Sequence, residues 1–355
     1  IVMRLVGSEM CIRDSFVRPI FFAFDPEWVH YFTLNFLKLI FKVPFLKTII
    51  KWIYQRQFPN LEKELFGITF KNPVGLAAGF DKNGKYINEL ASFGFSFIEI
   101  GTITPKPQPG NPKKRLFRLV KDKAIVNRLG INNDGVIAIS QRLKNHNREV
   151  IIGGNIGKNT STENDLAYED YLENFKILHP YVDYFVLNVS CPNVSNFTKL
   201  QDVEFLKKLV PKLKQYNNEQ DQTKPILIKI SPDLTNNQLD QTLDFIKKEQ
   251  IEGIIATNTT TKRRNLQTSE VELKKMGNGG LSGSPLAKNS TEIIRYISKQ
   301  TQKSIPIIGV GGIMNPKDAL DKIQAGADLI QLYTGFIYSG PSIVKKINNY
   351  LSKKQ

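Results

Sequence analysis

Two carboxamides flank a thiol in Asn188-Val189-Ser190-Cys191-Pro192-Asn193. A carboxamide donates and accepts hydrogen bonds at once, which suits a planar ligand carrying alternating C=O and N–H groups. The thiol, with an ordinary pKa of about 8.5, becomes a usable base when cations lie nearby. The competing reading is a polar loop around a buried cysteine, because free Cys packs as a small hydrophobe. Lys82 and Lys229 follow apolar runs, where an ammonium costs desolvation unless it meets an anion or snorkels to solvent. Gly309-Val-Gly-Gly-Ile313 and Tyr333-Thr334-Gly335 are glycine turns ahead of helical stretches, where backbone amides can approach a phosphate and a helix dipole favours it. Either turn alone is equally well a tight bend. Taken together, a phosphate site, two lysines and a thiol between amides point to a flavin enzyme acting on a small anionic heterocycle, with Cys191 as proton acceptor.

These residues need strands and turns to hold them. Short apolar runs recur at Val74–Ala78, Phe97–Ile100, Val150–Asn155, Tyr184–Val189, Pro225–Lys229, Gly253–Ala256, Pro306–Val310 and Asp328–Leu332. Helical patterns follow them near 83–92, 135–145, 164–178, 202–215, 236–249, 289–300, 315–325 and 341–352. Eight strands apolar on both faces and alternating with helices predict a parallel (β/α)8 barrel, with an open doubly wound sheet as the runner-up. Barrel chemistry sits where strands end, which is where the residues above fall. Two connections, Thr104 to Asp134 and Thr259 to Asn289, are long enough to act as site walls or lids. The first holds Leu116–Val120 and Ala124–Val126 about a turn, a small hairpin.

Three spans follow. Residues 1–15 resemble the translation of a sequencing adapter and are set aside from fold reasoning. Residues 16–66 form a helical extension. Asp25-Pro26-Glu27 is a helix start, with a capping side chain, proline in the first turn and an acid near the positive end of the dipole. Helical spacing from there to Lys42 puts Val29, Phe32, Phe36, Leu37 and Ile40 on one side. Pro44 opens a second helix, where Phe45, Ile49, Ile50, Trp52 and Ile53 alternate with Lys47 and Lys51. No apolar stretch reaches the roughly 20 residues that span a bilayer. Two short helices rich in aromatics and lysine suit a membrane surface or a hydrophobic tail, or a hairpin packed on the main domain. Residues 67–355 form the barrel.

Composition narrows the functional classes. A 41% hydrophobic content with 23% charged residues is that of a globular chain and excludes disorder. The net charge of +16 would serve an anionic substrate, a membrane surface or nucleic acid. Basic runs interleaved with base-stacking aromatics are absent, so nucleic acid is not expected. Setting the adapter aside removes Cys11 and leaves Cys191 as the single native cysteine, which rules out an internal disulfide framework and a cysteine-rich metal site. His30, His146 and His179 lack metal-ligand spacing, so no metal is expected.

Seven blocks, in order, carry a family resemblance: NPVGLAAGFDKNG at 72–84, IEIGTITPKPQPGNPKKRLFRL at 98–119, NRLGINNDG at 127–135, NIGKN at 155–159, ATNTT at 256–260, GGLSG at 279–283 and GVGGI at 309–313. From Phe16 onward the chain resembles the quinone-linked, membrane-associated dihydroorotate dehydrogenases. The resemblance implies FMN held by Ala78, Gly79, Lys82, Thr102, Asn155, Asn188, Lys229, Thr257, Ser282, Gly283, Gly312, Tyr333 and Thr334. It implies dihydroorotate held by Lys82, Asn127, Arg128, Leu129, Gly130, Ile131, Asn188, Asn193, Asn258 and Thr259, with some amides touching both ligands. It further implies Cys191 as catalytic base, orotate as product, a respiratory quinone as final acceptor, and peripheral attachment to the cytoplasmic side of the cell membrane through the N-terminal helices.

The chain departs from that class at the base. Its quinone-linked members usually carry serine there, whereas SCPNV is similar to the soluble class that reduces fumarate or NAD. Leu129-Gly130-Ile131 stands in place of Met-Gly-Phe, and Val194 replaces a threonine. The helical extension, which the soluble classes lack, favours quinone. The rivals are a fumarate-linked enzyme with merely structural helices, and a basic barrel that has lost catalysis.

Overall fold

The structure is a computed structural model that describes residues 18–146, 149–189 and 203–354. Three helices come first: α1 (Arg18–Ala23), α2 (Pro26–Ile40) and α3 (Pro44–Tyr54). The predicted cap of α2 is present, with Asp25 Oδ1 accepting from the amides of Glu27 and Trp28 at 3.0 Å each. The residues expected on one side of α2 are divided in the structure. Glu27 and Leu34 are buried and Val29, Leu37 and Ile40 are half-buried, whereas Phe32 and Phe36 are 43% and 54% exposed. These two rings align with Trp28 in an outward stack spaced four residues apart, with centroids 5.0 and 6.3 Å apart. Apolar spacing alone could not tell a stripe facing the protein from one facing elsewhere.

A two-stranded hairpin follows, β1 (Lys63–Leu65) with β2 (Ile68–Phe70), one strand on either side of Gly67. It seals the bottom of the barrel, where Phe70 meets Phe97 edge-on at 5.3 Å. The eight barrel strands are β3 (Val74–Leu76), β4 (Phe97–Ile103), β7 (Ile151–Ile156), β8 (Tyr184–Asn188), β9 (Ile226–Ile230), β10 (Gly253–Ala256), β12 (Ile307–Val310) and β13 (Leu329–Leu332). They pair in that order, all parallel, and β13 closes on β3 through Leu332 opposite Leu76. The closed barrel therefore prevails over the open sheet. Nearly every strand residue is buried, as strands covered on both faces require.

The lower barrel is filled by Phe97, Tyr184, Leu227, Ile255, Ile308 and Leu329. Two glycines make room for its rings. A Cβ on Gly75 would lie 2.3 Å from the Phe97 ring, and one on Gly153 would lie 2.3 Å from the Tyr184 ring. Above this plug of side chains the barrel opens toward the strand C-termini.

The connecting helices are α4 (Ile87–Ala91), α5 (Val136–Lys144), α6 (Ala167–Leu178), α7 (Val203–Asn218), α8 (Asn236–Lys248), α10 (Ala287–Gln300), α11 (Pro316–Gln324), α12 (Thr334–Ser339) and α13 (Ser342–Leu351). Helix α4 is shorter than expected. Its approach is a turn in which the buried Asp81 carboxylate accepts the amides of Lys85 and Tyr86 at 2.9 and 2.7 Å. Burial pushes that carboxyl up to about 6 despite both hydrogen bonds.

The two long connections meet. The first holds the expected hairpin, β5 (Leu116–Leu119) with β6 (Ala124–Asn127). The second supplies a short helix, α9 (Glu270–Met276), and a strand, β11 (Gly280–Gly283), that pairs antiparallel with β6. The result is a three-stranded sheet standing over the barrel mouth.

Candidate active site

At the C-terminal ends of the barrel strands lies a cavity that is open to solvent. The expected residues Ala78, Gly79, Lys82, Thr102, Asn188, Lys229, Thr257, Asn258, Thr259, Gly312, Tyr333 and Thr334 line it from the barrel side. Asn127, Leu129, Gly130, Ile131, Ser282 and Gly283 line it from the overhanging sheet and its flanks. Two expected residues stand elsewhere. Asn155 is buried behind the wall, where it accepts from Thr102 Oγ1 at 2.6 Å. Arg128 donates to the carbonyl of Lys114 at 2.9 Å and sits over the Phe117 ring, because side chains alternate along an extended segment and Asn127 takes the inward position. Cys191 and Asn193 lie outside the described residues.

Each wall has a local cause. A glycine turn follows β12, as expected, whereas β13 passes through Tyr333 into α12, with Gly335 in its first helical turn. A Cβ at Gly312 would lie 2.2 Å from Ala287 Cα, and one at Gly335 would lie 2.0 Å from the carbonyl oxygen of Ile313, so neither position admits a side chain. Within the described chain the amides of Gly311 and Gly312 have no backbone acceptor. Behind them Ser290 Oγ donates to the Gly311 carbonyl at 2.8 Å, and the buried Lys322 ammonium donates to Ser290 Oγ at 2.6 Å and to the Ala287 carbonyl at 2.9 Å. Burial lowers Lys322 to about 7, against the pull of Asp318 and Asp321. Ser282 and Thr334 share a hydrogen bond of 2.8 Å that ties the overhanging sheet to the start of α12.

Beneath the cavity lies a carboxylate that the motifs did not flag. Glu99, on β4, is fully buried and takes hydrogen bonds from Asn155 Nδ2 at 2.7 Å, Lys229 Nζ at 3.3 Å and Gln331 Nε2 at 2.6 Å. The signal was present: a single acid inside the strand Phe-Ile-Glu-Ile has to be paired there. Lys82, which follows β3 across the barrel from Lys229 on β9, donates to Asn132 Oδ1 at 2.5 Å. The remaining wall is apolar, with Leu116, Ile125, Leu286 and Val310 among its members.

A second, largely apolar cavity runs under α1 and α2 and is open to solvent. Phe21, Phe22, Val29, Leu34, Phe93 and Phe336 line it, along with His30. His30 Nε2 lies 2.9 Å from the carbonyl of Phe80, and burial lowers the imidazole to about 4, so it is neutral at neutral pH. Leu116, Ile125 and Tyr333 line both cavities and form their common partition. Helix α2 is fixed over this partition by a buried ion pair. Arg115 Nε and Nη2 reach the two Glu27 oxygens at 3.0 and 2.7 Å, and Nη1 donates to the carbonyls of Pro109 and Asn111.

The fold and site define a (β/α)8 barrel enzyme with glycine-lined walls after its seventh and eighth strands and a row of side-chain amides along its cavity. A sequence profile of dihydroorotate dehydrogenase matches residues 60–354. The dihydroorotate dehydrogenase (quinone) of Christiangramia forsetii is 54% identical over 340 residues, covering 96% of this chain and 98% of that protein. The protein of the same name from Trichodesmium erythraeum is 45% identical, covering 97% and 94%. Among solved structures, DHODH of Eimeria tenella in complex with ferulenol superposes with a TM-score of 0.79 at 35% identity, covering 87% of this chain and 90% of that one. The chain belongs to the dihydroorotate dehydrogenase family, whose members are flavoproteins.

Proposed function

We propose that FMN occupies the main cavity and that dihydroorotate binds beside it, under the overhanging sheet. The chain is an oxidoreductase of pyrimidine biosynthesis that converts dihydroorotate to orotate, with a quinone as electron acceptor. The residues present fit FMN. Acceptor-free amides at Gly311 and Gly312 suit its phosphate, and Lys229 supplies positive charge where a planar ring would lie against amides. When bound, FMN supplies the hydride acceptor for C6 of the substrate. Cys191 removes the C5 proton, so the substrate loses one proton and one hydride. Lys82 offsets the substrate carboxylate, and Asn127, Asn188, Asn193 and Asn258 read the edge of the pyrimidine. Leu129 and Ile131 limit the access of water to the reacting carbons.

The observation that carries the quinone reading is the partition. An apolar channel that ends on Tyr333, Leu116 and Ile125 brings a hydrophobic electron acceptor to the back of the flavin cavity without passing the substrate. Purified protein is expected to be yellow and to oxidise dihydroorotate with a soluble quinone and not with fumarate. Turnover with fumarate alone would overturn the acceptor, and colourless, inactive protein would overturn the enzyme reading altogether.

No helix among the described residues is long and apolar enough to cross a membrane. Peripheral attachment to the cytoplasmic side of the cell membrane is proposed instead, through the outward stack of Trp28, Phe32 and Phe36 together with Phe45 and Trp52, all of them exposed. Replacing Trp28, Phe32 and Phe36 together with serine is expected to release the protein from anionic vesicles in a flotation assay. Its oxidation of dihydroorotate with a water-soluble dye stays unchanged. Flotation equal to wild type would reject that face.

A further inference from the structure

We infer that Glu99 is a positioning residue: this buried carboxylate sets the direction of donors and acceptors along the whole amide row that faces the ligand cavity. The inference rests on the proposed binding of FMN and orotate. Glu99 does not line the cavity, and it acts through its neighbours.

The row can be followed atom by atom. A carboxylate accepts and never donates. Asn155 therefore turns Nδ2 toward Glu99, at 2.7 Å, which leaves its Oδ1 as the acceptor for Thr102 Oγ1 at 2.6 Å. Thr102 has one hydroxyl proton and commits it to Asn155, so its oxygen can only accept from Asn188 Nδ2, at 2.7 Å. Asn188 then presents Oδ1 to Asn258 Nδ2, at 3.4 Å. The last carbonyl, Asn258 Oδ1, accepts from the amide of Thr259 at 2.9 Å. Every link passes its proton toward Glu99.

A carboxamide fits its space almost equally well in either of two orientations, so a row of amides linked through a hydroxyl has two self-consistent directions. Glu99, which only accepts, at one end and the Thr259 amide, which only donates, at the other both select the same one. The other two partners of Glu99 help to hold it in place: Lys229 and Gln331 both line the cavity and both donate downward, at 3.3 and 2.6 Å. The wall presented to a pyrimidine, with Thr102, Asn188 and Asn258 on it, thus carries a fixed pattern of N–H and C=O groups. A site built on such a pattern rejects a ligand whose own donors and acceptors are exchanged, because buried polar groups are then left unpaired.

The test compares orotate with its 4-amino analogue, in which a carbonyl acceptor is replaced by a donor. Binding of each to the FMN-loaded protein is read from the change in the flavin visible spectrum. Wild type is expected to prefer orotate. In Glu99→Gln the anchor is no longer an obligate acceptor, the row loses its fixed end there, and the preference is expected to narrow by about tenfold. Thr102→Val cuts the row while leaving Glu99 and Lys229 in place, and it is expected to narrow the preference in the same direction. Should Glu99→Gln fail to fold or to hold FMN, Thr102→Val alone decides. A wild-type preference in the variants that load FMN would overturn the inference. So would a change in Glu99→Gln with none in Thr102→Val, which would make Glu99 only a counter-charge for Lys229. Wild-type protein that binds FMN but not orotate would instead overturn the substrate reading, a different result from an unchanged ratio.

Discussion

Replacing Cys191 with alanine is expected to lower the rate of dihydroorotate oxidation by about two to four orders of magnitude, with FMN still bound. The expectation rests on the position of Cys191 in the sequence. It follows by three residues Asn188, the last residue of β8, whose side chain lines the cavity and donates to Thr102. A cysteine base has to be deprotonated before it can act, so activity rises with pH through the thiol pKa. Serine at the same position is the weaker acid, and Cys191→Ser is expected to retain part of the rate with its rise displaced to higher pH. Rapid-mixing measurements of flavin bleaching across pH separate the outcomes. Full-speed reduction in Cys191→Ala would remove the residue from the mechanism, and superimposable pH profiles for wild type and Cys191→Ser would exclude thiolate chemistry.

The second large effect belongs to Arg115. Its pair with Glu27 is nearly shut off from water, with side-chain exposures of 8% and 9%. Removing one partner of such a pair strands the other charge, at a cost of roughly 3–5 kcal/mol. Arg115→Ala is therefore expected to loosen α1 to α3 from the overhanging sheet, seen as early proteolytic cleavage of the N-terminal segment and a steep loss of quinone reduction. Oxidation of dihydroorotate by a soluble dye should fall much less. A double replacement, Glu27→Leu with Arg115→Met, removes both charges and is expected to recover most of the resistance to protease. Cleavage of Arg115→Ala at the wild-type rate would show that the pair does not hold the helices. The pH dependence has a definite sign. Burial alone would raise the Glu27 carboxyl, but its hydrogen bond and charge interaction with Arg115 outweigh burial and lower it. Its contribution to docking is fully present above the ordinary carboxylate pKa of about 4.3 and is lost as pH falls through the lower, folded value.

How much the sequence disclosed depended on whether a signal was local. All eight barrel strands were legible because burial on both faces leaves a nearly continuous apolar run, and the turn residues after each run marked where the cavity would open. Strand β11 was not legible as a strand. Gly280-Leu-Ser-Gly283 has little strand propensity, and it is extended because β6 offers it a partner. The hairpin of β1 and β2 was missed for a related reason: its strands are three residues each, and their order comes from closing the bottom of the barrel. Phe32 and Phe36 were placed on one side of α2 with Val29, Leu37 and Ile40, and only the packing showed that the two rings turn outward while the other three are half-buried. Glu99 was readable in principle as a lone acid in an apolar strand. Its partners, Asn155, Lys229 and Gln331, come from three other strands, and periodicity does not register strands against one another.

The overhanging sheet bears on how the chain is made. Its middle strand, β6, gains one neighbour from the adjacent hairpin arm and the other from β11, where Ser282 faces Ile125 across 157 residues of sequence. A ribosome adding about 5–20 residues per second needs roughly 10–30 s to cover that interval. Until it does, one edge of β6 offers unpaired backbone groups to any passing strand, the situation that favours misassembly. The roof of the site is thus finished late in synthesis, after most of the barrel beneath it has left the ribosome.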